Sequence, residues 1–162
     1  MNNSSKPISK IDDASKQMQI DALKGDQGHG FDIDTIYYVE GVWYVFEYLK
    51  CENEYVSPYS SDPARYPWNW RKFHSLFQIT KQLNGKLILV NYSTRDKDKD
   101  EVKVMIVKNV KYDLLRNYIE NSDGRIIKYL EYIEYEQVYK FSFSEYSDWL
   151  RRLNSNSEIF PL

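Results

Sequence analysis

Two runs rich in Ile, Val, Tyr, Trp and Phe, residues 31–39 and 42–51, face each other across the dipeptide Glu40-Gly41, and nothing else in the chain limits its fold as sharply. Branched and aromatic side chains suit a pleated, half-buried surface, and a two-residue break holding a glycine is a hairpin signal. The spacing predicts a β-hairpin. If Glu40-Gly41 is the whole turn, partners across it have numbers summing to 81, so Val39 meets Val42, Tyr37 meets Tyr44 and Asp34 meets Glu47. A three-residue loop with Gly41 in a left-handed conformation would instead move Glu47 to the other face.

In the two-residue register Asp34 and Glu47 are directly opposed, with β-carbons roughly 5 Å apart. Two carboxylates at that separation repel by about 3 kcal/mol at an effective dielectric of about 20. Something must offset this: a shared proton, or a divalent cation between the oxygens. Asp32 lies two residues before Asp34 and shares its strand face, which makes it a third possible oxygen ligand. Lys50 follows Glu47 by three residues and points to the opposite face of a regular strand; a one-residue bulge near Tyr48 or Leu49 would bring it back. The bland alternative is a set of solvent-facing carboxylates at strand ends.

Helical and strand signals surround the hairpin. Ile11, Ala14, Met18 and Ala22 recur at near-helical spacing and predict a helix over residues 9–23, with Ser9 as N-cap and Asp12 and Asp13 in its first turn. Pro58, Pro63 and Pro67 make the stretch after the hairpin a long loop. From about Asn69, the apolar row Phe73, Leu76, Phe77, Thr80 and Leu83 predicts an amphipathic helix that stops at Asn84-Gly85. Residues 86–92 (KLILVNY) read as a buried strand entered by a crossover, and residues 102–110 as another. The charged run 95–101 between them is expected to be an exposed turn. A short helix over 113–120 and a strand over 126–141 follow. Ser142 and Glu145 form a capping-box pair ahead of a last helix ending near Leu153. The chain is thus α/β (α+β) in class, with a disordered lead over 1–8, one domain over 9–154 and a tail over 155–162.

Composition narrows the function classes. With a net charge of −2 and a pI near 5.7, the chain cannot coat nucleic acid through global positive charge. A local patch is available: Arg65, Arg71, Lys72, Lys81 and Lys86 lie in a stretch without one acidic residue. The chain has no apolar run long enough to cross a membrane and a polar N-terminus, and its lone Cys51 closes no internal disulfide; these features point to a cytoplasmic protein. Fifteen tyrosines and four tryptophans are also what an interaction surface would use.

The segments FDID (residues 31–34) and VFEYLK (residues 45–50), set in the element order of residues 9–92, resemble the PD-(D/E)xK nuclease superfamily. Its core carries a helix, a hairpin with an Asp on one strand and Glu-x-Lys on the next, then a helix and a strand. The resemblance covers just over half of the chain and implies a restriction-endonuclease-like core, a mixed β-sheet with helices on both faces. It further implies a metal-dependent endonuclease in which Asp34 and Glu47 bind Mg²⁺ or Mn²⁺, Asp32 is an accessory ligand and Lys50 is the catalytic lysine that orients water and stabilises the phosphorane. The chain departs from the pattern in having Glu-x-x-Lys, with Leu49 where the family has Lys. Arg71 and Lys72 would then contact phosphate, and Trp68, Trp70 and Tyr66 would stack on bases of a DNA partner. His74, Gln19 and Asp21 are further candidates near such a site. The long loop over 55–70 is either a substrate lid or a surface for a second chain, which leaves a homodimer open. The competing readings are a nuclease-fold protein that has lost catalysis and a plain interaction domain.

Overall fold

The computed structural model describes residues 13–65, 69–114, 116 and 131–157. The chain forms two compact units, Met1–Asp32 and Ile33–Leu162. In the first, helix α1 (Ala14–Ala22) buries none of its residues, and Met18 and Ile20 of its apolar positions are exposed. Asp13, not Ser9, immediately precedes it and makes no side-chain cap; Ser9 and Ile11 lie outside the described residues. Within this unit Lys16 pairs with Asp32 at 3.0 Å and Gln17 donates to Asp21 at 2.9 Å.

The second unit holds a five-stranded sheet in sequential order: β1 (Thr35–Val39), β2 (Val42–Lys50), β3 (Gly85–Tyr92), β4 (Glu101–Val110) and β5 (Ile133–Ser142). Every neighbouring pair is antiparallel except β2 and β3, which are parallel because helix α2 (Trp70–Gln82) carries the chain back between them. The sheet is therefore mixed, as expected. Glu40 and Gly41 both have positive φ (51° and 82°), the mark of a two-residue hairpin turn. The ladder accordingly pairs Val39 with Val42 and Thr35 with Phe46, so its partner numbers sum to 81.

Among the described residues, α2 covers one face of the sheet and a C-terminal helix the other. Val45, Leu87, Leu89, Met105 and Val107 pack with Phe73, Leu76 and Phe77 of α2. On the other side Phe46, Ile88, Val90, Val102 and Val104 meet Tyr146, Trp149, Leu150 and Leu153 of helix α3 (Phe143–Ser155). Double coverage explains why β3 runs apolar without alternation: Leu87, Ile88, Leu89 and Val90 point alternately to two cores. The start of α3 is fixed by the expected capping box. The Glu145 N–H donates to the Ser142 hydroxyl at 3.2 Å, and the Ser142 N–H donates to the Glu145 carboxylate at 2.7 Å.

The stop of α2 differs in detail from expectation. Asn84 takes the left-handed conformation (φ 53°), and Gly85 is required for a different reason. A β-carbon there would lie 2.5 Å from the carbonyl oxygen of Trp43, its register partner on β2. Residues 112–114 and 116 are helical, and the rest of the segment predicted as helix over 113–120 lies outside the described residues, as do residues 126–130 of the strand predicted over 126–141. Among the described residues no helix is long and apolar enough to cross a membrane.

Candidate active site

Glu47 sits in the middle of the hydrophobic face that α2 covers. Its neighbours on that side of β2 are Val45 and Leu49, and only 4% of the residue is exposed. A carboxylate so placed needs a partner, since an unpaired buried charge costs several kcal/mol. The partner is Lys72, in the first turn of α2, whose ammonium lies 2.6 Å from Oε1 of Glu47. Lys72, Leu76 and Thr80 are successive i, i+4 positions, and Leu76 and Thr80 are buried. The row that buries α2 thus delivers the cation.

Asp34 lies one residue before β1, at the position that continues the register toward Glu47. The ladder ends at Thr35 and Phe46, and the Asp34 side chain takes over where the backbone stops: its Oδ2 accepts from the Tyr48 N–H at 2.8 Å. Asp34 is therefore held against the Glu47–Tyr48 peptide. Each carboxylate is met by a protein donor, the Tyr48 amide on Asp34 and the Lys72 ammonium on Glu47.

Lys50 is a correction. The β2–β3 pairing runs without a break from Trp43 opposite Gly85 to Lys50 opposite Tyr92, so no bulge turns it toward Glu47. It stays on the opposite face, exposed, 3.7 Å from Glu52, and Leu49 packs on the core instead. Lys72, expected on phosphate, is the lysine that meets Glu47. Trp70 is partly buried: it packs against the α2-face cluster and Tyr112, with the exposed Arg71 guanidinium 5.4 Å from its ring. Trp68 and Tyr66, with the Arg65 side chain, lie outside the described residues. Lys86, another member of the basic run, pairs with Glu136 at 2.9 Å. Asp32, Gln19 and Asp21 belong to the N-terminal unit.

His74 stacks on Tyr112 with ring centroids 4.5 Å apart. Its Nδ1 is buried without a hydrogen-bond partner, and burial pushes its pKa down, so the ring is neutral at neutral pH. A neutral, stacked imidazole reads as packing.

A cavity of about 340 Å³ opens at the carboxyl ends of the parallel pair, lined by Leu49, Lys50 and Cys51 at the β2 end, Asn69 just before α2, Phe73 of α2, and Ser61 and Pro63 of the proline loop; Asp34, Glu47 and Lys72 are not part of its lining. Crevices at this position in mixed and parallel sheets are where ligands bind. The loop is pinned from below. Asn91, itself buried, donates to the carbonyls of Pro58 and Ser61 at 3.3 and 2.9 Å, and Arg95 donates to those of Asn53 and Val56 at 2.6 and 3.0 Å. The charged run over 95–101 is thus a turn, but not a wholly exposed one. Asp98 is buried and pairs with Arg95, whose guanidinium hydrogen bond holds the Asp98 carboxyl below the usual carboxylate range.

Comparison of the chain with family models, with curated proteins and with solved structures returned no match. The site has to be read from its own residues. Lys72 was legible as a basic residue on the second helix, and the i, i+4 row would have placed it inward. Its pairing with Glu47 depends on how α2 lies across β2, which periodicity does not carry.

Proposed function

We propose that the chain is a metal-dependent nuclease that hydrolyses phosphodiester bonds in DNA, with Asp34 and Glu47 as the acidic pair and Lys72 in the role expected of Lys50. The observation that carries this reading is the 2.6 Å contact between Glu47 and Lys72 in the largely apolar α2 face of the sheet. A buried ion pair is a poor source of stability, because well-packed apolar residues of the same volume do as well or better. Its presence is better explained by work that needs a carboxylate and an ammonium together.

The donor set fits a hard divalent ion. Among the described residues no cluster of three or more His, Cys, Asp or Glu could hold a metal by itself. Mg²⁺ commonly takes only one or two carboxylates and completes its shell with water and substrate phosphate. Asp34 and Glu47 would hold it, and when bound it would lower the pKa of a water and neutralise charge on the phosphate. An ammonium has three donors, so Lys72 can hold Glu47 in place and contact a phosphate oxygen as negative charge grows there. The Tyr48 amide orients Asp34. Arg71, exposed beside Lys72 on α2, supplies a further phosphate contact.

One observation favours the non-catalytic alternative, a nuclease-fold protein that binds without cutting: each carboxylate already has a protein donor on one oxygen. The two readings separate in one experiment. Single- and double-stranded DNA and RNA are incubated with Mg²⁺, Mn²⁺ or EDTA and the wild-type, Asp34→Ala and Glu47→Ala proteins. Metal-dependent cleavage of DNA lost in both variants is the expected result. No cleavage of any substrate, with no metal binding by calorimetry in the presence of DNA, sinks the nuclease reading and leaves the binding one.

A further inference from the structure

On the sheet face opposite Glu47 lies a second cavity, of about 350 Å³, whose lining is dominated by aromatic rings: Tyr48, Tyr92, Phe143 and Tyr146 stand around a base formed by Val90 and Val102. Val90 and Val102 are buried, as is Tyr146, whereas Phe143 is 59% exposed at the first position of α3. The Tyr48 and Tyr92 rings are 6.4 Å apart and nearly perpendicular (79°). Phe143 is one of the larger apolar exposures among the described residues, and it lies between the two capping-box residues, which would hold the helix start with another residue there. Packing does not account for it.

Polar groups are placed within this apolar box. The Tyr48 and Tyr146 hydroxyls are 2.8 Å apart. One proton bridges the two oxygens, so the pair retains a second O–H that can donate to something else in the cavity. Lys99 lines the cavity as well, and its ammonium pairs with Asp96 at 2.8 Å on the solvent-exposed surface. Exposed pairs of this kind exchange readily for another anion.

We propose that this cavity is a nucleobase pocket, taking the planar heterocycle of a nucleotide against an aromatic ring, with a hydroxyl of the Tyr48–Tyr146 pair on the base edge and Lys99 toward the phosphate. Aromatic faces accept any base by stacking, and a single hydroxyl donor matches the ring nitrogens and carbonyls that all bases carry. A volume of about 350 Å³ is at the small end of ligand sites, suited to one base rather than to a helix or peptide. The assignment rests on the nucleic-acid reading above and deepens it. Tyr48 links the two sites: its ring lines the pocket while its N–H is the donor that holds Asp34.

The test is run in EDTA, so that it does not depend on catalysis. Amide shifts of the full chain are followed by NMR during titration with AMP, with ribose 5-phosphate and with a ten-nucleotide single strand of DNA. AMP is expected to shift Ser93, Lys99 and Phe143, ribose 5-phosphate to leave them in place, and Phe143→Ala and Tyr92→Ala to weaken AMP binding roughly fivefold or more. Tyr146→Phe, which keeps the ring, should weaken it by a smaller factor. Tighter binding of the oligonucleotide than of AMP assigns the pocket to a strand, and equal binding assigns it to a free nucleotide; either upholds it. Absence of shifts with AMP and oligonucleotide, or shifts unchanged in both ring variants of retained fold, overturns it. If the shifts appear but no metal-dependent cleavage is found, the pocket stands and the nuclease reading fails.

Discussion

The two faces of the sheet bury polarity in opposite ways. Under α2 it is ionic, a Glu47 carboxylate against the Lys72 ammonium, whereas under α3 it is neutral, a pair of tyrosine hydroxyls. The energetic consequences differ. Removing one member of a buried ion pair leaves a charge stranded, while removing one hydroxyl of a neutral pair loses one modest hydrogen bond. A fold needs neither arrangement to cover a sheet, and the two proposed roles, an acidic pair on one face and a planar-ligand pocket on the other, follow that contrast.

The largest expected effect comes from breaking the ionic face. Lys72→Ala should destabilise the chain by about 3 kcal/mol in urea unfolding, the lower part of the range for buried pairs because the Lys72 side chain keeps 22% of its exposure. Glu47→Leu with Lys72→Met should recover most of that loss, since both charges leave together. A double variant as unstable as the single would mean that the pair itself holds the fold. Next in size is Asp34→Ala, which removes a charged acceptor from the Tyr48 amide and should cost roughly 2 kcal/mol. On the neutral face, Tyr146→Phe should cost about 1 kcal/mol by the same measurement. If it exceeded the Lys72→Ala loss, the contrast between the faces would be gone.

Much of this architecture could be read from local patterns. Glu40-Gly41 marked the hairpin but allowed two registers, and positive φ at both residues in the structure selects the two-residue turn. The row Phe73, Leu76, Phe77, Thr80 marked the buried side of α2, and Ser142 with Glu145 marked the start of α3. The candidate site was half legible. Asp34 and Glu47 followed from the register, but the lysine was sought along the strand, where alternation put Leu49 on the Glu47 side and Lys50 away from it. The lysine that meets Glu47 arrives across the sheet, from an element 25 residues on, and only tertiary packing sets that meeting. The aromatic cavity was invisible for the same reason: its rings come from β2, β3 and α3. Arg95 and Asp98, taken as members of a solvated charge run, close on the proline loop from below.

Two smaller predictions sharpen these points. Lys50→Ala should change stability by less than about 0.5 kcal/mol, as for an ordinary exposed residue; a larger loss would place Lys50 inside the site after all. Acidification should loosen the loop over 53–56 before the sheet. Asp98 has a depressed carboxyl pKa, so its contribution is complete above the ordinary Asp value of about 3.9 and is lost as pH falls through its lower folded value. Faster amide exchange at Val56, which donates to Asn53, at low pH while Val104 stays protected would show it.

The most direct measurement is the rate of metal-dependent DNA cleavage by Lys72→Ala set beside that of Lys50→Ala. A loss of roughly a hundredfold or more is expected for Lys72→Ala, at a temperature where that variant is folded, and a rate within about twofold of wild type for Lys50→Ala. Full activity in Lys72→Ala with loss in Lys50→Ala would contradict the role given to Lys72.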